Sequence, residues 1–208
     1  MAGAGREDGA AEEHCVFAFD ALHSHFSRAA CHPPGFPHSS GEAFPLFVTW
    51  SKRDGRGNHQ LRGCIGNLRA QPILAIKEYA LSAALSDRRF HPIAASEVSS
   101  LEVTVSLLAN FEASLAWDDW EVGIHGVWID LVDPDGTPRN ATYLPDVPPE
   151  QGWTVRETID ALVRKAGYTG QVTDLVRSLI RLTRYQSTLH KLSYSEYAQI
   201  VETRGVTR

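Results

Sequence analysis

The stretch Phe44-Pro45-Leu46-Phe47-Val48-Thr49-Trp50-Ser51-Lys52, followed after a turn by Leu61-Arg62-Gly63-Cys64-Ile65-Gly66, decides the fold class. Both runs are apolar and rich in β-branched or aromatic residues, and Arg53 to Gln60 between them carries Gly55 and Gly57, so they are predicted to form a hairpin. Downstream, Pro72 suits the first turn of a helix whose buried face is Ile73, Ile76, Ala80, Ala83 and Ala84, ending by Phe90 to Pro92. That helix is expected directly after the hexapeptide.

Further on, Val103, Val105 and Leu107 alternate with Glu102, Thr104 and Ser106, the period of a half-buried strand. Val122 to Val132 predicts another strand, returned through the turn Asp133 to Gly136 into Arg139 to Leu144. Thr154 and Glu157 form a capping box before the helical stripe Val155, Ile159, Leu162, Val163 and Ala166, closed by Gly167. Ser178 to Ser187 is predicted as a strand, and Ser193 with Glu196 caps a terminal helix through Val201.

Upstream, Cys15, Phe19, Leu22 and Phe26 have the spacing of one helical stripe, and Cys31 to Pro45, with Pro33, Pro34, Pro37 and Pro45, predicts a long loop. Residues 1–13 are Ala, Gly and acidic with nothing to bury and are expected to be a disordered tail, leaving 14–208 as a single domain. Strands joined by turns and mixed with helices without strict βαβ alternation give an α+β class, a mixed sheet packed with helices.

Composition narrows the function. With 43% hydrophobic and 22% charged residues among 208, the chain is that of a globular protein, neither fibrous nor wholly disordered. Its formal net charge of -5 means that attraction to nucleic acid would have to come from a local patch. No apolar run has the length of a membrane span and the first residues lack a signal peptide's pattern, so no membrane is expected and a cytoplasmic location is, with nuclear entry left open. Cys15, Cys31 and Cys64 show no CxxC spacing, so neither a disulfide framework nor a disulfide-linked partner is expected. His23 and His25 would fall on different helix faces and no zinc spacing appears, so no metal and no cofactor are expected.

The hexapeptide carries the chemistry. On a regular strand Leu61 and Ile65 would face the core while Arg62 and Cys64 face outward, placing a thiol beside a fixed positive charge that favours the thiolate. Gly63 and Gly66 would allow a ligand's close approach. Cys64 is therefore a candidate nucleophile and Arg62 an anion grip. The structural alternative makes the glycines a bulge and a tight turn, with Cys64 a small buried hydrophobe. Lys52, Arg53, Arg56, Arg62 and Arg69 on one side, and Arg177, Arg181, Arg184 and Lys191 on the other, could line a groove for phosphate or carboxylate if they met. His91, His125 and Glu112 are candidate bases for Cys64.

From Cys15 to Val201 the chain resembles the AMMECR domain family, whose hallmark LRGCIG stands unbroken at Leu61 to Gly66. Further matching segments are Pro45 to Trp50, Asp87 to Phe90, Ser106 to Glu112, Asp119 to Gly126, Ala141 to Val147 and Leu182 to Tyr185, and the N-terminal helix resembles the eukaryotic branch. The resemblance implies an α+β fold with a larger and a smaller lobe, and it supplies no established reaction. It adds Asp87 and Arg89 as site residues, although Arg88 stands where relatives tend to carry Pro or Ser. The expectation is an enzyme-like domain acting on an anionic substrate, nucleotide or RNA, with Cys64 and Asp87 as catalytic residues and Arg62, Gly63, Gly66 and Arg89 binding substrate. The alternative is a non-catalytic adaptor that recruits another protein.

Overall fold

A computed structural model describes residues 10–28, 30–36, 43–54, 57 and 59–206. The expected tail at 1–13 lies outside them up to residue 9, as do Pro37, Gly55 and Arg56. The elements in chain order are α1 (Glu12–Ser27), β1 (Ala43–Arg53), β2 (His59–Pro72), α2 (Ile76–Leu85, entered by a 3₁₀ turn at Ile73–Ala75), β3 (Leu101–Ala113), β4 (Gly126–Val132), β5 (Pro138–Tyr143), α3 (Val147–Gln151), α4 (Val155–Lys165), α5 (Asp174–Ser178), β6 (Arg181–Ser193) and α6 (Tyr194–Val206). The strands lie in the order β2-β1-β3-β6-β4-β5. β1 pairs antiparallel with β2 and β3, and β4 with β5 and β6. The fold is thus α+β.

The chain forms two compact units. The larger runs to Leu107 and resumes at Thr188, and the smaller is Leu108–Ser187. In the larger unit, Leu46, Val48 and Trp50 of β1 share a face with Val103, Val105 and Leu107 of β3, all 3% exposed or less. α2 covers that face, and Trp50 Nε1 donates to the Ala80 carbonyl at 2.9 Å. α1 is buried all round from His14 to Leu22, so it is a core helix rather than the one-sided stripe its spacing predicts. In the smaller unit, Val127, Ile129 and Leu131 of β4 pack with Ile159, Leu162 and Val163 of α4. There Tyr185 is fully buried, its hydroxyl 2.7 Å from Thr142 Oγ1 and donating to the Tyr143 carbonyl at 3.1 Å.

Several boundaries differ from expectation: α1 starts at Glu12, inside the expected tail, β6 runs on to Ser193 and α6 to Val206. β2 continues through Pro72, so α2 begins well beyond the hexapeptide. The strand expected at Val122 starts at Gly126, and the strand expected at Ser178 starts at Arg181 because Asp174–Ser178 is helical, capped by Thr173 Oγ1. The two capping boxes hold: Thr154 with Glu157, and Ser193 with Glu196.

Candidate functional site

The hexapeptide lies on β2, at the edge of the sheet. Its pairing with β1 slips at one point: Trp50 faces Gly63 while Ser51 faces Leu61, so Arg62 is the extra residue of a β-bulge. The bulge reverses the alternation expected of a regular strand. Ile65 stays on the core face with Val48, but Leu61 is turned onto the Ser51 face and is 45% exposed. Leu61 is therefore no core anchor.

Arg62 does not stand open beside Cys64. Its Nε and Nη2 donate to the two Glu97 carboxylate oxygens at 3.1 and 2.9 Å, and Nη1 and Nη2 donate to the carbonyls of His91 and Pro92 at 2.6 and 3.2 Å. Lys52 Nζ also donates to Glu97, at 3.0 Å. Hydrogen bonds from Arg62, then from the Ala94 backbone and Lys52, hold the Glu97 carboxyl down at about 2 against the desolvation that opposes them. Arg62 thus ties the bulge to the segment after α2.

Gly63 and Gly66 each have a packing reason. A Cβ at Gly63 would lie 2.0 Å from the Ala83 carbonyl oxygen, so its missing side chain lets α2 sit on β2. At Gly66 the Cβ would meet the Leu46 carbonyl and the Phe47 ring, both at 2.3 Å.

Asp87, Arg89 and Cys64 are brought together. An edge strand leaves backbone groups without a ladder partner, and at Cys64 both are taken by the turn after α2. Asp87 Oδ2 accepts the Cys64 N–H at 3.0 Å, and Arg89 Nη2 donates to the Cys64 carbonyl at 3.2 Å. The clamp is itself locked, with Arg89 Nε and N donating to Asp87 Oδ1 at 3.0 and 3.1 Å and Nη2 to Oδ2 at 2.7 Å. The Asp87 side chain is 5% exposed, and the Arg89 hydrogen bond, against desolvation and aided by the two backbone N–H groups, holds its carboxyl far below the usual carboxylate range. The Arg89 side chain remains 58% exposed. The half-buried Cys64 thiol sits on the face opposite α2, where Thr49 Oγ1 donates to Sγ at 3.1 Å.

Beside the clamp is an open cleft of ≈ 540 Å³ lined by Arg62, Arg88, Arg89, Phe90 and His91. Arg62 and Arg89 are balanced by Glu97 and Asp87, whereas Arg88 is exposed and has no hydrogen-bond or ion-pair partner among the described residues. Arg88 supplies the unbalanced charge.

The two basic stretches are neutralised only in part: Arg53, Arg69, Arg181 and Lys191 stay exposed with no ion pair among the described residues. In the smaller unit Arg177 is paired with Asp160 and with its helix neighbour Asp174, and Arg184 with Glu112 and Asp119, which folding brings in from 65 or more residues away. Glu112 is thus engaged, and His125 Nδ1 accepts the Glu121 N–H at 3.1 Å. Of the three candidate bases, His91 lines the cleft. Sequence reasoning missed Glu97, Thr49 and Arg88. Only Glu97 carried a signal, as the capping residue that accepts the Ala94 N–H at 3.0 Å.

Cys15, Cys31 and Cys64 are not joined in disulfides, and burial pushes Cys15 up to about 12. Among the described residues no group of three His, Cys, Asp or Glu side chains converges as a metal site, and no helix is long and apolar enough to cross a membrane.

The AMMECR1 family model matches residues 15–190. An uncharacterised protein of Arabidopsis thaliana is 51% identical over 197 residues, covering 93% of this chain and 91% of that one. An uncharacterised protein of Schizosaccharomyces pombe is 36% identical over 195 residues, covering 93% and 98%. The crystal structure of an uncharacterised protein from Pyrococcus horikoshii superposes with a TM-score of 0.69 at 22% identity, covering 88% of this chain and 92% of that one, a likeness of fold alone.

Proposed function

The chain belongs to the AMMECR1 family, and on that premise we propose that it is an enzyme-like domain that binds an anionic substrate, a nucleotide or RNA, in the cleft beside Leu61–Gly66. The carrying observation is Arg88, an exposed guanidinium with no partner among the described residues, on the same cleft as the clamped, largely open Arg89. Two guanidinium planes, one of them fixed by Asp87 before any ligand arrives, suit bidentate grip of phosphate oxygens. In this reading Arg88 and Arg89 hold the anion, and Cys64, which does not line the cleft but whose backbone the Asp87–Arg89 clamp holds, is the candidate reactive group. Asp87 is a positioning residue that orients Arg89, while Arg62, Gly63 and Gly66 maintain the frame.

Fluorescence anisotropy with a short single-stranded RNA, and separately with ATP, tests the reading. Saturable binding at low salt that weakens as salt rises is expected. Arg88→Ala should weaken it about tenfold, the share of one charge-assisted hydrogen bond. Binding that ignores Arg88→Ala, or its absence at low salt, overturns the anion reading and favours the adaptor. That alternative has less support, because two of the aromatic rings that could meet a partner, Trp117 and Tyr143, are already faced by the chain's own cations: Arg156 and Arg177 at 5.6 and 5.9 Å from Trp117, and Lys165 at 4.4 Å from Tyr143.

The reactive role of Cys64 has its own test. Iodoacetamide should modify it at neutral pH faster than a thiol of the denatured chain, with Cys64→Ser as the control that removes the signal. A rate at or below that of the denatured chain leaves Cys64 a packing residue and the cleft a binding site only.

A further inference from the structure

A second cavity, in the larger unit and separate from the cleft, lies between the end of α1, the segment after it and α6. It encloses ≈ 400 Å³, and its wall includes Asp20, His23, His32, Tyr194, Tyr197 and Glu202. The volume lies within the range of small-molecule sites.

Asp20 is the unusual member. Its side chain is only 9% exposed, yet it belongs to a helix otherwise packed into the core. Buried carboxylates are costly unless partnered. One oxygen is satisfied: the Tyr197 hydroxyl donates to Oδ1 at 2.7 Å, with His32 Nδ1 at 3.8 Å. Oδ2 has no partner among the described residues, and the residue lines the cavity. A nine-tenths buried carboxylate therefore keeps one oxygen in reserve at the wall of an open space.

Around it stand aromatic rings. The centroids of His23 and Tyr194 are 5.9 Å apart, those of His23 and Tyr197 5.7 Å, and those of Tyr194 and Tyr197 6.0 Å. Ring faces and carboxylates share one preference, for positive charge. Glu202 adds a second acid to the lining, so an anion would be repelled. A metal ion would need several donors converging on one point, and among the described residues no such set exists. An organic cation needs no convergence, because its charge is spread over alkyl groups that contact ring faces.

We propose that this cavity is a binding site for an alkylated ammonium group, such as the trimethylammonium head of choline or of a trimethyllysine side chain. The rings of His23 and Tyr194 contact its methyl groups, Tyr197, stacked on Phe19 at 4.8 Å, holds the carboxylate in place through its hydroxyl, and Asp20 supplies the counter-charge. Calorimetric titration of the full chain tests this with three probes: choline, a short trimethyllysine peptide, and 3,3-dimethylbutan-1-ol, the neutral carbon counterpart of choline. At least one cation is expected to bind saturably, and the neutral probe about tenfold more weakly. Choline alone would identify a free metabolite as the source, and tighter binding of the peptide a modified protein tail. Asp20→Asn, which keeps shape and removes charge, should weaken the cation about tenfold and leave the neutral probe unchanged. Should Asp20→Asn fail to fold, Tyr194→Leu, which keeps bulk and removes the ring face, should give the same selective loss. Equal affinity for choline and its neutral counterpart, or no saturable binding of either cation, overturns the proposal. Neither variant touches Arg88 or Arg89, so this site and the anion cleft can fail independently.

Discussion

Gly63→Ala is expected to destabilise the larger unit by about 3 kcal/mol or more, the upper part of the range for overpacking a core, and in many preparations to prevent folding. The added Cβ would sit 2.0 Å from the Ala83 carbonyl oxygen and 2.9 Å from the Ala83 carbonyl carbon. Both are helix backbone, so no rotamer change relieves the contact. α2 would have to lift from β2, and it carries Ile76, Ala80 and Ala84, all 2% exposed or less, together with the carbonyl that receives Trp50. In a chain of this size the loss lowers the melting temperature by roughly 6–12 °C. The midpoint followed by Trp50 fluorescence in urea reports it, once the other tryptophans have been replaced. Gly136→Ala is the contrasting variant. Gly136 has φ 81° with nothing within 4 Å of the added carbon, so only its left-handed conformation is penalised, at about 1–2 kcal/mol. A Gly63→Ala protein as stable as the Gly136→Ala protein would mean that α2 does not pack on β2 as described.

Gly63 also shows where sequence reading stops. Strand type was readable from β-branched and aromatic runs, helix starts from capping boxes, and the turn before β5 from Asp133 to Gly136, because each depends on neighbours within a few residues. The buried face of α2 was readable for the same reason: Ile73, Ile76, Ala80, Ala83 and Ala84 are all buried. The facing of Leu61 and Arg62 was not. It turns on a single extra residue in β2 relative to β1, and strict alternation has no means of registering a bulge. The loss of α1's one-sidedness has a different cause. Ala18 and Ala21 are small enough for either environment, and Asp20 is met by Tyr197 of α6 and by His32 of the segment after α1, both distant from it in the helical pattern.

The site was half legible. Asp87, Arg89 and Cys64 do meet, but the two charged residues hold the backbone of Cys64, an arrangement that no spacing rule encodes. Glu97 lies 35 residues from Arg62 in sequence and accepts two of its hydrogen bonds. The same long-range pairing takes Arg62 and Arg184 out of the two basic stretches' free charge. Arg88 gains its role by the converse: folding brings it no acid.

Asp87→Asn is expected to be the most damaging change at the site, costing roughly 2–3 kcal/mol at neutral pH, the worth of a charge-assisted hydrogen bond with a buried partner left short. The amide keeps the volume but cannot accept from the Cys64 N–H, the Arg89 N–H and the guanidinium as two carboxylate oxygens do. Because Arg89 is 58% exposed, water recovers part of its hydration, which keeps the loss below that of a fully buried pair. The pH dependence separates this account from a simple packing defect. Asp87 has its carboxyl depressed in the folded chain, so its contribution is complete above the unfolded value near 4 and is lost as pH falls towards the folded value. Glu97, held at about 2, is lost over the same acid range. Urea midpoints should therefore show the wild type and Asp87→Asn far apart at pH 7 and converging below about pH 4, the variant losing the Asp87 share of the acid slope and keeping that of Glu97 and of the other depressed carboxyls, Asp133, Glu157, Asp174 and Glu196. A gap that stays constant from pH 7 to pH 3 would show that the carboxylate charge does not hold the clamp. Convergence would instead tie the geometry of Arg89, and with it the pre-set half of the anion grip, to the ionised Asp87.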